Sequence, residues 1–290
     1  MDCSVIIPHL DQAEYLRKCL SALSLQKSAG FSFEVIVVDN GSKESLAEIE
    51  KEFNFQLINY HTDKNPYVCR NIGVEAASSN TIAFLDAKCI PHDKWLINGL
   101  KNLLQYDIVA GNYIVEHGSH LSSMVFPLMY LNNNKNVAHH YGASCGNLFI
   151  KKEVFYSLGQ FEIASKSGND ILLTQKAISK NYSIGFAEDA VVNYPVKKFH
   201  ALIKDIHKYG IGAAVTKQKG IISALKFLLP MRTKTLQEAI AFRKYSFSFV
   251  EYIGIWLFIW RAKIEFAIGI LKGLFSFSAN GYGNFSNGQQ

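Results

Sequence analysis

The chain has 290 residues, enough for one large domain or a domain with an appendage, and its 49% hydrophobic content favours a folded core over disorder. Its 30 Lys and Arg against 24 Asp and Glu leave a formal charge of +6, too mild and too dispersed for a nucleic-acid groove, so no nucleic-acid partner is expected. The five cysteines (Cys3, Cys19, Cys69, Cys89 and Cys145) are odd in number and sit in apolar segments without paired spacing, which argues against a disulfide framework or a zinc site and for a reducing compartment.

The start, Met1 to Pro8, has no basic n-region and too short an apolar run for a signal peptide, so a cytoplasmic location is expected. Up to about residue 113, short apolar runs alternate with helix-period segments, the pattern of an α/β fold with a mostly parallel sheet flanked by crossover helices. The strand candidates are Val5 to Pro8, Glu34 to Asp39, Gln56 to His61, Thr81 to Asp86 and Asp107 to Tyr113. A helix with Leu16, Cys19, Leu20 and Leu23 on one face follows the first, opened by Asp11 with Glu14 at capping-box spacing.

Open α/β sheets bind ligands beyond the carboxyl ends of their strands, and the polar residues cluster there: Pro8 to Asp11, Asp39 to Ser42, and Asp86 to Lys88. Asp39-Asn40-Gly41-Ser42 also reads as an ordinary turn before a helix cap. No Gly-x-Gly-x-x-Gly follows the first strand, which argues against a dinucleotide-binding dehydrogenase. His139-His140 lacks the spacing of a helical metal site.

Further along, Ser144 to Ile150 reads as a strand, Lys152 to Leu158 as a short helix, and Gly168-Asn169-Asp170 as a turn capping a helix that runs to Lys180. Ser183 to Glu188 and Ala190 to Tyr194 supply two more short strands. Three regions are expected: 1–196, a nucleotide-binding style catalytic domain; 197–275, a helical C-terminal appendage; and 276–290, a disordered tail rich in Gly, Ser and Asn. The apolar run between Glu251 and Arg261 is far short of the roughly 20 residues of a bilayer span. Trp256, Trp260, Phe266 and Phe275, interleaved with Arg261, Lys263 and Lys272, fit peripheral membrane contact through 247–275. A helical hairpin packing on the catalytic domain, or on a second subunit of a homo-oligomer, fits equally.

These residues together resemble a family 2 glycosyltransferase of the GT-A fold. The matching pieces run in order over about residues 3 to 195: Val5-Ile6-Ile7-Pro8, Glu34 to Ser42, Arg70-Asn71-Ile72-Gly73, Ile82 to Asp86, Gly146 to Phe149 and Asn169-Asp170. The resemblance implies sugar transfer, with inversion, from a nucleoside diphosphate donor to a hydroxyl of a saccharide or lipid-linked acceptor; with the start of the chain and the C-terminal aromatics, the expected place is the cytoplasm or the inner face of the membrane. It implies that Pro8 and Asp39 line the base pocket, Asp39 accepting from a uracil-like imide, that Arg70 lies near base and diphosphate, and that Asp86 lies near the ribose. Asp11, Asn147 and Tyr194 complete the expected nucleotide-sugar set, and Asp170 matches the catalytic base.

Two departures stand out. Lys88, in Asp86-Ala87-Lys88, replaces the second acid of an Asp-x-Asp motif, and Tyr194 stands where many members carry a metal-binding histidine. A lysine ammonium supplies a fixed positive charge, so the expectation is that Lys88 replaces the metal in stabilising the leaving diphosphate, with no cofactor and no metal site. If a Mg2+ or Mn2+ ion is used instead, Asp86 is its one candidate ligand. The acceptor side is expected at 114–145 and the loop before Asp170, with Glu116, His117, His139 and His140 as polar contacts. The alternative reading is a catalytically silent relative that binds nucleotide sugar or serves as a scaffold.

Overall fold

Cys3 to Ile7 are all buried, the signature of a strand covered on both faces, and this strand, β1 (Cys3–His9), lies inside an eight-stranded sheet in the computed structural model of the chain. The structure describes residues 1–26, 30–62, 64–115, 133–196, 198–216, 219–230, 232 and 248–279. These divide into two compact units, one ending at 196 and one beginning at 198.

In the first unit the strands β2 (Phe33–Asp39), β3 (Gln56–Asn59), β4 (Thr81–Leu85), β5 (Ile90–Pro91), β6 (Ile108–Val115), β7 (Asn147–Lys151) and β8 (Ile184–Tyr194) join β1 in the order β3-β2-β1-β4-β7-β6-β8-β5. β1 is parallel to β2 and β4, and β6 to β8; β7 runs antiparallel to both its neighbours. The pleat sends alternate residues to opposite faces. Ile6, Ile36, Phe84, Leu148 and Ile150 pack with Val74 of α3 (Pro66–Ala76) and Phe155 of α6 (Lys152–Ser157), whereas Phe149, one position from Leu148, meets Trp95 of α4 (Trp95–Leu103). Helices therefore cover both faces, with α1 (Ala13–Ser24), α2 (Ala47–Glu52), α5 (Asn133–Ala138) and α7 (Asn169–Ser179) completing the unit.

Two sequence expectations change. The two short strands of 183–194 are one strand, β8: Ala187 pairs with Gly111 but Val191 pairs with Asn112, so Glu188, Asp189 and Ala190 form a bulge that the hydrophobic alternation reads as a break. The strand expected from Ser144 begins only at Asn147, because Ser144 to Gly146 are recruited by hydrogen bonds to other elements.

The second unit holds α8 (Phe199–Val215), α9 (Ile221–Leu228) and α10 (Phe249–Ala279), packed around Ala214, Ala224, Ala267 and Ile270. Among the described residues no helix is long and apolar enough to cross a membrane. The tail expected to be disordered lies outside the described residues from 280 onward, and its first residues, 276–279, continue α10.

Candidate active site

Parallel neighbours in register finish together, so β1, β2 and β4 deliver His9, Asp39 and Asp86 to one edge of the sheet. His9 and Asp39 are register partners and both buried. The Gln12 N–H donates to His9 Nε2 at 3.2 Å, which leaves Nδ1 as the N–H donating to Asp39 Oδ1 at 2.8 Å. Ser42 gives its hydroxyl to Oδ1 and its N–H to Oδ2, the latter at 3.0 Å. Burial works against a charge on Asp39, but the hydrogen bonds from Ser42 and His9 prevail and hold its carboxyl below the ordinary range. Pro8, half-buried, precedes this pair on β1.

Asp11 does not cap α1. Its backbone is left-handed, φ 50°, and it turns to the loop after β2, where its N–H donates to Ser42 Oγ at 2.9 Å and its Oδ1 accepts from the Lys43 N–H at 2.8 Å. The helix starts from Gln12 without a side-chain cap, and Glu14 pairs with Lys18 instead. The expected capping box is absent because Asp11 and Ser42 tie two strand-tip loops together.

Arg70, buried on α3, donates from Nη2 to Asp86 Oδ1 at 2.6 Å. Burial opposes its charge, yet Asp86 and the other groups around it raise Arg70 above its ordinary value, and it stays a cation. Lys88 Nζ lies 3.9 Å from Asp86 Oδ2 and 4.6 Å from the centre of the Tyr194 ring, which meets Tyr113 edge-on. Gly146 closes the site tightly: a Cβ there would stand 2.9 Å from Asp86 Oδ2 and 3.0 Å from the Tyr113 hydroxyl oxygen, so a larger residue would displace Asp86.

Asp170 sits in the first turn of α7, two positions after Gly168 at φ 87°, and its Oδ1 accepts from the Ile171 N–H of that turn at 3.0 Å. Its Oδ1 also accepts from the Tyr67 hydroxyl at 3.0 Å and its Oδ2 from the Cys145 N–H at 3.2 Å. Asn169, beside it, is buried and donates to the Ser165 carbonyl at 2.7 Å. Tyr67 also lies under the Arg70 guanidinium, 5.4 Å from ring centre to Cζ. A continuous chain of contacts thus runs Asp170, Tyr67, Arg70, Asp86, Lys88, Tyr194. Burial and then Asp170 push the Tyr67 phenol well above its ordinary value, so it keeps the proton it donates.

The tripeptide Asp86-Ala87-Lys88 offers a divalent cation a single carboxylate, already flanked by two cationic side chains: one oxygen is taken by Arg70 and the other faces Lys88. Among the described residues no group of three or more His, Cys, Asp or Glu could hold a metal ion. Two buried polar atoms at the site have no hydrogen-bond partner among the described residues, Asn40 Oδ1 and Arg70 Nε. Such an atom costs about 1–3 kcal/mol unless a water or a ligand group meets it.

Asn147 stands apart from the expected set. It is fully buried, its Oδ1 accepting from Trp95 Nε1 at 2.8 Å and its Nδ2 donating to the carbonyls of Asn112 and Ala190, so its amide joins β6, β7, β8 and α4. His140 borders a cavity of about 410 Å3 with Tyr106, Tyr182 and Ile184, where β8 begins, at the opposite end of the sheet from Asp39. His139 is exposed, and Glu116 and His117 lie outside the described residues. Tyr67 and the buried role of His9 were missed. The signal for Tyr67 was present: Asn65-Pro66 marks a helix start, Asn65 Oδ1 accepts from the Tyr67 N–H at 3.0 Å, and Tyr67 and Arg70 then share a face at i, i+3.

The model of a family described as glycosyl transferase family 2 matches residues 4–158. The chain is 31% identical over 218 residues to the glycosyltransferase AglE of Haloferax volcanii, covering 72% of each. Among solved structures it is similar to residues 1–349 of Staphylococcus aureus TarS in complex with UDP-GlcNAc, at 16% identity and TM-score 0.58, over 99% of this chain and 94% of that one. It is equally similar to the mannosyltransferase PcManGT of Pyrobaculum calidifontis in complex with GDP-Man and Mn2+, at 16% identity and TM-score 0.58, over 96% of this chain and 75% of that one. The structural likenesses establish the GT-A fold that the motif order implies.

Proposed function

The chain belongs to glycosyl transferase family 2 and is a glycosyltransferase, and from that premise we propose that it moves a sugar from a nucleoside diphosphate donor to a hydroxyl of a saccharide or lipid-linked acceptor, with inversion. The observation that carries this reading is the unbroken line of contacts from Asp170 to Lys88, which joins a candidate base to a cationic cradle. In the proposed step the acceptor oxygen bonds to the anomeric carbon while its proton passes to Asp170. The bond from that carbon to the diphosphate breaks, and its electron pair leaves with the nucleoside diphosphate. A single displacement of this kind inverts the centre and needs one carboxylate.

Arg70 and Lys88 would neutralise charge gathering on the leaving diphosphate, and the Tyr194 hydroxyl would donate to a phosphate oxygen. Asp86 would receive ribose hydroxyls. Asp39 would accept an imide N–H on the lone pair of Oδ2 that Ser42 leaves, with Pro8 and Asp11 beside it. The imide favours UDP, and the UDP-GlcNAc complex of TarS agrees; the GDP-Man complex of PcManGT makes GDP the comparison to run. The lone carboxylate of Asp86, partnered by Arg70 and facing Lys88, favours a metal-free reaction. We place the enzyme in the cytoplasm, as the five buried thiols suit, working at the inner face of the membrane.

A thermal-shift series with UDP, GDP and their sugars, with and without divalent cation, identifies the donor, because ligand bound to the native state raises its melting point. With that donor, Asp170→Asn should lower turnover about 10²–10⁴-fold, and Lys88→Ala about 10²–10³-fold. Activity should persist in a chelator. Loss of activity with chelator and its specific return with Mn2+ or Mg2+ would sink the metal-free step. An Asp170→Asn variant matching the parent in donor hydrolysis would favour the silent nucleotide-sugar binder.

A further inference from the structure

The formal charge is divided unevenly along the chain. Residues 197–290 hold 14 of the 30 Lys and Arg but only 4 of the 24 Asp and Glu, a charge of +10, which leaves residues 1–196 at −4. The same C-terminal stretch carries a run of large aliphatic side chains left in solvent: Ile221, Ile222, Leu225, Leu228 and Leu229 are 55%, 72%, 56%, 39% and 64% exposed.

The geometry of α9 explains why they are exposed. At 3.6 residues per turn, Ile221, Ile222, Leu225 and Leu228 share one face of the helix, about 120° wide. Ala224 and Phe227 lie on the other side, where Ala224 is fully buried against Ala267 and Ile270 and Phe227 meets Phe266 of α10 edge-on. The helix is also pinned at its end: Trp260 Nε1 donates to the Leu228 carbonyl at 3.0 Å and Lys263 Nζ to the Leu229 carbonyl at 2.6 Å. α9 thus has two apolar sides, one filled by α10 and one facing water. Lys226, exposed, borders the outer face, with Lys219 and Arg232 exposed just beyond the two ends of the helix.

We propose that the outer face of α9 docks the enzyme on an anionic lipid surface, its aliphatic side chains entering the interface while the cations of this region meet phospholipid headgroups. The proposal rests on the reading that the enzyme works at a membrane, and names the element and the lipid class. Charge chooses the occupant. A second copy of the chain would bring a +10 stretch against another of the same sign, whereas an anionic leaflet attracts each cation by about 1 kcal/mol near the surface. The helix lies on the bilayer: eight residues extend about 12 Å, far less than a span.

Co-sedimentation of the full chain with phosphatidylcholine vesicles, with and without phosphatidylglycerol, tests this. Binding should require the anionic lipid, weaken with salt, and fall at least about tenfold for Ile222→Asp with Leu225→Asp, two exposed positions whose loss leaves soluble-acceptor activity intact. A parent that binds no vesicle overturns the membrane reading itself. Undiminished binding by the double variant overturns only the assignment to α9, and equal binding to neutral vesicles overturns the anionic preference. If light scattering finds a dimer that the double variant dissociates, the face is a subunit interface and the proposal fails.

Discussion

Tyr67 touches both halves of the proposed chemistry, with its hydroxyl on Asp170 and its ring under Arg70. Phenylalanine would keep the ring and the packing against Phe161 but remove the hydrogen bond to a carboxylate, the kind worth roughly 1.5–3 kcal/mol. Tyr67→Phe should therefore lower kcat by about 10–100-fold if that bond serves mainly to aim the base, and leave the donor KM near the parent value. A rise in donor KM with unchanged kcat would assign Tyr67 to donor binding alone. Ser42 and His9 act at the same scale: three hydrogen bonds hold Asp39 ionised and aimed, so a group read from sequence as an ordinary turn is a buried, charged junction.

At the level of elements, α8 and α10 come together at glycines. A Cβ on Gly210 would stand 2.2 Å from the Phe266 carbonyl oxygen, and one on Gly269 2.2 Å from that of His207. Both obstacles are backbone, which no rotamer change can move aside, so the helices must separate to admit even a methyl group. Gly210→Ala or Gly269→Ala should cost about 1–3 kcal/mol by overpacking, despite the better helix propensity of alanine, and denaturant unfolding measures it. A stabilised Gly210→Ala protein would contradict this crossing. The apolar character of α10 was legible in its sequence, but the glycine contact was not, because a close approach depends on which faces of two separate helices meet. Asn147 teaches the same lesson: its motif is visible, while its amide bonds reach residues 35 and 43 positions away.

Across the molecule, Glu34, Asp39, Asp107 and Glu265 share one logic. Burial opposes each charge, and hydrogen bonds from Ser4 and Ser78, Ser42 and His9, Ser183 and Lys151, and Arg261 and His207 overcome it, so each carboxyl is held below its ordinary value. A carboxyl depressed in the folded state stabilises that state above its unfolded pKa, about 4, and loses the contribution as pH falls through the folded value. The melting temperature should be level near neutrality and fall below about pH 4, less steeply in Asp107→Asn. A melting point that climbs on acidification would contradict the assignment. Short apolar runs and residue types are local properties, so the α/β class, the strands whose tips carry Asp39 and Asp86, and the identity of Lys88 and Asp170 were legible in the chain alone. The tertiary structure alone decided that β8 is one bulged strand, that Asp11 braces a loop, that Tyr67 links Asp170 to Arg70, and that α9 leaves an apolar face in water. Each of these depends on partners distant in the chain, and hydrogen bonds and burial are set by distance in space.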